Sequence, residues 1–240
     1  MEGAERRTGI TLERGLVKGQ EIHSQNPARL IEKIIRERIL DSPYWKEQCF
    51  GLTAATLCDR AVELTYIGGQ YGQQRPTPFL CLIFKVIQLQ PEKQIILEYL
   101  AAEDFKYLRS LAAFYIRLTF PAVEVYKLLE PLLADYHKLK LRNVNGFRLI
   151  HTDEFVDMLL TEERVCDIAL PRLPKRIVLE DMEELEPRES ALGSELSDLE
   201  NDSDDTSDIN DERTKSGINN GSKKTAQQRE ISHRMMESLL

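Results

Sequence analysis

The sequence predicts a mainly α fold: a single compact multi-helix domain with one small β-hairpin over residues 26–189, preceded by a flexible arm (1–25) and followed by a disordered acidic tail (190–240). Three observations predict it. Apolar residues recur at helical spacing in one segment after another, and several segments open on Ser, Thr or Asn beside a proline, the chemistry of a helix start. The run from 80 to 89, with Leu80, Cys81, Leu82, Ile83, Phe84, Val86, Ile87 and Leu89, is apolar enough to need burial on most sides. Beyond about Leu192 apolar residues thin out: residues 180–212 hold 15 acidic residues and 1 basic one, and no aromatic follows Glu189.

In chain order, residues 1–25 mix Gly, Arg, Glu and Thr without a period, and order is expected to begin at Asn26. Asn26-Pro27 starts an amphipathic helix through Leu40, with Leu30, Ile31, Ile34, Ile35 and Ile39 inward and Glu32, Lys33, Arg36, Glu37 and Arg38 on a solvated face. Ser42-Pro43 starts a short helix anchored by Tyr44, Trp45 and Phe50. Thr53 caps a third helix expected to reach Ile67, where Gly68-Gly69 supplies the stop. The central apolar helix follows Pro76-Thr77-Pro78 and ends near Gln90, and Pro91 opens another with Ile95, Ile96, Tyr99 and Leu100 on one face. A long helix over 103–119, with Phe105, Leu108, Leu111, Ala112, Tyr115, Ile116 and Leu118, is broken by Phe120-Pro121.

Residues 122–135 are helical again, kinked or split by Pro131 near Glu130. Asn145-Gly146 between two short apolar-alternating runs is a turn signal, so 139–150 form the hairpin. Thr152 is expected to cap a helix carrying Asp153 and Glu154 in its first turn, with Phe155, Val156, Leu159 and Leu160 inward. The prolines of 166–176 suit an extended strap, and Ile177, Val178, Met182 and Leu185 add a last short helix.

The net charge of −8 belongs to the tail, and residues 1–179 are close to neutral, so bulk charge does not select a nucleic-acid partner. Cys49, Cys58, Cys81 and Cys166 form no CxxC pair and suit reduced thiols. With no apolar run of about 18 residues and no signal-like start, a nuclear or cytosolic protein without a membrane partner is expected. His23, His137, His151 and His233 lack metal-ligand spacing, and the pairs Glu103-Asp104, Asp153-Glu154 and Glu162-Glu163 fall at helix ends, where carboxylates are commonly structural. No nucleophile motif or phosphate loop is present, and neither a cofactor nor a small-molecule substrate is expected. Two candidate surfaces remain. Tyr71, Gln73 and Arg75 form a protein-docking loop, the alternative being a plain helix connector whose tyrosine folds back on the core. Lys138, Lys140, Arg142 and Arg148, with His137 and Phe147 alongside, form a basic hairpin suited to RNA phosphates, the alternative being a solvated edge guarded against aggregation.

The strings GGQYGQQRPTPFLCL from Gly68, QPEKQIILEYL from Gln90, EDFKYLR from Glu103, LEPLLADYHKL from Leu129, HTDEFVDMLL from His151 and ERVCDIALPRL from Glu163 occur in one order. Over residues 26–187 the chain resembles the pre-mRNA-splicing factor 38 family. The resemblance implies a non-enzymatic spliceosomal protein of the nucleus, associated with the tri-snRNP and needed for activation of the spliceosome. It implies a helical scaffold that binds other splicing proteins, including a zinc-finger factor and a partner supplying a helical or extended segment; direct RNA contact through the hairpin is the alternative. Two departures stand out: Phe120-Pro121 replaces the Thr-Gly of many members, and a short acidic tail stands where animal members carry a long Arg/Ser-rich one. Ser197, Ser203 and Ser207 precede acidic residues and are candidate phosphorylation sites whose modification would deepen the negative charge.

Overall fold

The computed structural model describes residues 20–188; the expectations for 1–19 and for the acidic tail lie outside them. The described part is a mainly helical unit with small sheets, as the sequence predicts. Its chain runs α1 (Lys33–Asp41), α2 (Pro43–Gln48), α3 (Ala54–Val62), β1 (Ile67–Gly68), β2 (Gln70–Tyr71), β3 (Arg75–Pro76), α4 (Pro78–Leu89), α5 (Lys93–Ala101), α6 (Lys106–Thr119), α7 (Ala122–Leu129), β4 (Lys138–Asn143), β5 (Gly146–His151), α8 (Thr152–Thr161), β6 (Arg164–Val165), β7 (Ile168–Ala169) and α9 (Arg176–Asp181).

Order begins earlier than Asn26. Ile22 and Gln25 close a small bridge, Ile22 packs on the core, and the Gln90 amide exchanges hydrogen bonds with the Gln20 backbone. The polar character of this stretch hid an anchoring made with distant partners. Asn26 does cap a turn, its side chain accepting from Ala28 N, but that turn is a 3-10 helix over Pro27–Leu30 that breaks at Ile31 before α1 begins. The break reverses two sequence assignments: Ile34 is 61% exposed, and Arg36, expected in solvent, is 2% exposed. Arg36 Nη1 donates to Ala28 O and Ile31 O, carbonyls that an unbroken helix would have satisfied itself.

Ser42 caps α2 through Trp45 N, and Trp45 packs at 5.1 Å between ring centroids against Phe84, whereas Phe50 is 87% exposed and anchors nothing. A Thr53–Thr56 capping box starts α3. That helix ends at Val62, short of the Gly-Gly pair, because Ile67–Gly68 is recruited into a sheet.

Thr77 caps α4, and Gln90 ends it in the left-handed conformation. Every residue from Phe79 to Phe84 is buried, as the sequence demanded. A second central helix stands beside it: α6 is buried without interruption from Ser110 to Leu118. Even Arg117 in this stretch is 5% exposed, donating to Leu159 O and Pro171 O. Phe79, Phe114 and Phe155 meet at centroid distances of 6.0–6.5 Å and join α4, α6 and α8. Pro131 ends α7 as expected, and a 3-10 turn over Glu130–Ala134 follows. Thr152 is the first residue of α8 and not its cap; its hydroxyl donates to His137 O.

The predicted hairpin is β4–β5, with Asn143 opposite Gly146 across a Val144-Asn145 turn. It does not stand alone. β1 adds to it in parallel, giving the order β1-β4-β5, and β2–β3 and β6–β7 form two further hairpins. The expected strap over 166–176 is therefore partly a turn, Cys166 and Asp167 both having positive φ, and its proline-containing remainder is held by Arg117 and by Tyr126, which donates to Pro174 O. On α9 only Leu179 is buried, while Ile177 and Val178 are exposed; Met182 and Leu185 fall beyond the helix, the first exposed and the second buried.

Candidate functional site

The two surfaces nominated from sequence are brought together by two glycines. Gly68 pairs with Arg142 in the parallel ladder, and a Cβ added there would sit 2.3 Å from Arg142 O. At Gly69 an added Cβ would sit 2.2 Å from Asp167 Oδ2 and 2.5 Å from Cys166 O. These glycines are points of close backbone approach, not a helix stop. Asp167 Oδ2 accepts from Gln70 N at 2.6 Å, Arg38 donates to Gln70 Oε1 at 2.6 Å, and Thr77 donates through Oγ1 and N to Gly68 O and Gly69 O. The base of the docking loop is thus fixed from three sides.

On that base β2 and β3 place Tyr71 opposite Arg75. Tyr71 is half-buried, while Gln73 and Arg75 are exposed. The Arg142 guanidinium lies 5.1 Å from the centroid of Tyr71 and 4.3 Å from that of Phe147, its cross-strand partner. Lys140 Nζ is 4.7 Å from the same Phe147 ring, and Tyr66 meets its edge at 5.4 Å. Stacking a guanidinium on aromatic faces stabilises it by about 0.5–1 kcal/mol per contact at an exposed site. It leaves the in-plane N–H groups available to a carboxylate or phosphate. Burial raises the pKa of Tyr66, and neighbouring Tyr71 adds to the effect, so its hydroxyl stays neutral. Among the described residues no carboxylate pairs with Lys138, Lys140 or Arg142.

Lys138, Lys140 and Arg142 alternate along β4 on the face opposite buried Leu139 and Leu141. Arg148 leaves this group: it stands across from Leu141 on the other face, 3.8 Å from Glu154. The sequence nominated Tyr71 in one surface and Arg142 with Phe147 in another, and missed Tyr66. The Arg142–Phe147 pair follows from the hairpin register, but the approach of Tyr66 and Tyr71 depends on a parallel pairing of Ile67 with Leu141, 74 residues apart, for which no local signal exists.

A second concavity, of about 520 Å³, is lined by Glu103, Arg109, Pro131, Ala134, Asp135, Tyr136 and His137. Asp135 accepts from Arg109 Nη1 at 2.7 Å and from the His137 backbone and ring, the latter at 2.5 Å. This bonding ties α6 to the segment entering β4, and no Ser, Thr or Cys is among the described residues that line the concavity. Burial pushes the thiols of Cys49 and Cys81 up to about 12, which makes both inert as nucleophiles. Among the described residues no group of three or more His, Cys, Asp or Glu side chains is gathered to hold a metal.

A family model described as the PRP38 family matches residues 20–183. The chain is 54% identical over 181 residues to Pre-mRNA-splicing factor 38A of Xenopus tropicalis and 55% identical over 181 residues to that of Homo sapiens. Each match covers 75% of this chain and 58% of the relative, so the chain spans little more than half the length of these relatives. Among solved structures, a chain in the crystal structure of the Snu23-Prp38-MFAP1(217-258) complex of Chaetomium thermophilum is 50% identical, with a TM-score of 0.72, the match covering 78% of this chain and 99% of that one.

Proposed function

The chain belongs to the PRP38 family, and on that premise we propose that it is a non-enzymatic pre-mRNA splicing factor of the nucleus, a protein-protein scaffold that acts with the tri-snRNP in spliceosome activation. The observation that carries the docking role is the face where Tyr71, Arg142 and Phe147 stack beside Tyr66 and Lys140. Aromatic and arginine side chains held rigidly at a surface are the usual anchors of protein interfaces. The relative's complex supports this reading, and counterparts of its companions, Snu23 and MFAP1, are the proposed partners: a zinc-finger factor and a partner supplying a helical or extended segment.

Affinity purification from nuclear extract, comparing the full chain with Tyr71→Ala and Arg142→Ala, tests the role. Loss of splicing proteins from the variants, with unchanged thermal melting, is the expected result; an unchanged set of co-purifying proteins refutes the assignment of this face. A second reading, direct RNA contact, draws on the same stacked cations. It requires Lys138→Ala, Lys140→Ala and Arg142→Ala together to weaken RNA crosslinking and flatten its salt dependence.

A further inference from the structure

β5 is the outer strand of the β1-β4-β5 sheet, and among the described residues no strand pairs with its free edge. Lys138 O accepts from Lys106 Nζ at 2.7 Å, and Arg142 O faces Gly68 on β1, so the backbone groups of Lys138, Lys140 and Arg142 point away from β5. Their cross-strand partners include Leu149 opposite Lys140 and Phe147 opposite Arg142. Residues directly opposite in an antiparallel pair share the same sense, so Phe147 and Leu149 direct their N–H and C=O groups outward. Among the described residues nothing hydrogen-bonds these groups outside the ladder.

Edge strands are normally blunted by charges or proline on the edge itself. Here the lysines sit one strand in, on β4, while β5 carries Phe147 and Leu149 on its outer face at 51% and 60% exposure. Lys140 already leans across β5 toward Phe147, and Arg148 projects from the opposite face with 69% of its side chain exposed. Lys140 thus flanks one face of the edge without a described carboxylate partner, whereas Arg148 on the other face is paired with Glu154 at 3.8 Å.

We propose that an extended, acidic segment of a partner protein adds to β5 as a fourth strand. Its backbone pairs with Phe147 and Leu149, and carboxylates on the face it shares with those two residues meet Lys140. The proposal rests on the reading of this face as a protein-docking surface and specifies its mode. Main-chain pairing gives such a complex its affinity, and side-chain charge selects the segment. RNA offers no alternating N–H and C=O groups to complement the edge.

The test uses the full chain and three labelled probes: a ten-residue peptide alternating Glu and Val, the same peptide N-methylated at alternate backbone positions, and a ten-nucleotide oligouridine. The unmodified peptide is expected to bind, to slow amide exchange at Phe147 and Leu149 at least tenfold, and to bind at least tenfold more tightly than the N-methylated form. Leu149→Pro, which removes an outward N–H, is expected to lose the same factor. Should this variant fold poorly, the N-methylated peptide gives the same discrimination on the native protein. Equal binding of both peptides overturns strand addition and leaves the docking face standing. Binding of oligouridine with no binding of either peptide overturns the proposal in favour of RNA, and failure of all three probes overturns it as well. The co-purification experiment with Tyr71→Ala and Arg142→Ala reports separately on the docking face.

Discussion

Asp135, 11% exposed through its side chain, serves Arg109 and His137 at once. Burial pushes its carboxyl up, but the hydrogen bonds from His137 and the charge of Arg109 outweigh it and leave the group below the ordinary carboxylate value. A depressed carboxyl contributes stability that is fully present above the unfolded-state value near 3.9 and is lost as pH falls through the folded one. Asp135→Asn is therefore expected to cost roughly 2–3 kcal/mol at pH 7, where it also strands Arg109. Urea unfolding from pH 7 down to pH 3 checks this: the gap between wild type and variant narrows below about pH 4. A gap independent of pH removes the charge argument. Arg142 shows the complementary use of a cation, stacked between two rings and left unpaired by any described carboxylate, which suits it to an external ligand.

Among the elements, the first helical segment departs furthest from its sequence pattern. Proline at the start and isoleucines at helical spacing describe one helix from 27 to 40, yet the chain forms a 3-10 turn and then α1. The switch buries Arg36 and turns Ile34 outward, so the apolar stripe and the buried stripe differ. A charged residue offers no sign in the sequence that it will satisfy a broken helix end. Arg36→Met is expected to lower unfolding free energy by about 2–3 kcal/mol, since the carbonyls of Ala28 and Ile31 lose a charged donor. Lys33→Met, on the exposed face of the same helix, is expected to stay within about 0.5 kcal/mol. Equal effects in chemical denaturation contradict the structural role of Arg36.

For the whole molecule, Gly69 is the point at which the chain after β1, the Cys166-Asp167 turn and the docking hairpin converge. Gly69→Ala forces a Cβ into the Asp167 carboxylate and the Cys166 carbonyl, and a cost of at least about 2 kcal/mol is expected. Gly72, in the β2–β3 turn, has open space around it, so Gly72→Ala is expected to cost only the left-handed backbone penalty, about 1 kcal/mol. Thermal melting of both variants distinguishes a packing contact from a simple turn. Splicing proteins retained by Gly72→Ala and lost by Gly69→Ala would link this convergence to docking.

By itself the sequence determined the helical class, the central position of α4, the proline-marked starts of α2 and α4, the split at Pro131 and the β4–β5 hairpin. Each follows from local chemistry: a cap, a fixed φ, a missing N–H or an apolar period. It also pointed to the family through strings kept in order. What only the tertiary structure decided is how distant segments meet. The parallel pairing of β1 with β4, the seat of Gly69 against Asp167, and the burial of Arg36 and Arg117 depend on backbone groups contributed by segments remote in sequence. The candidate face is of this second kind, because Tyr66, Tyr71, Arg142 and Phe147 become neighbours only after the chain has closed.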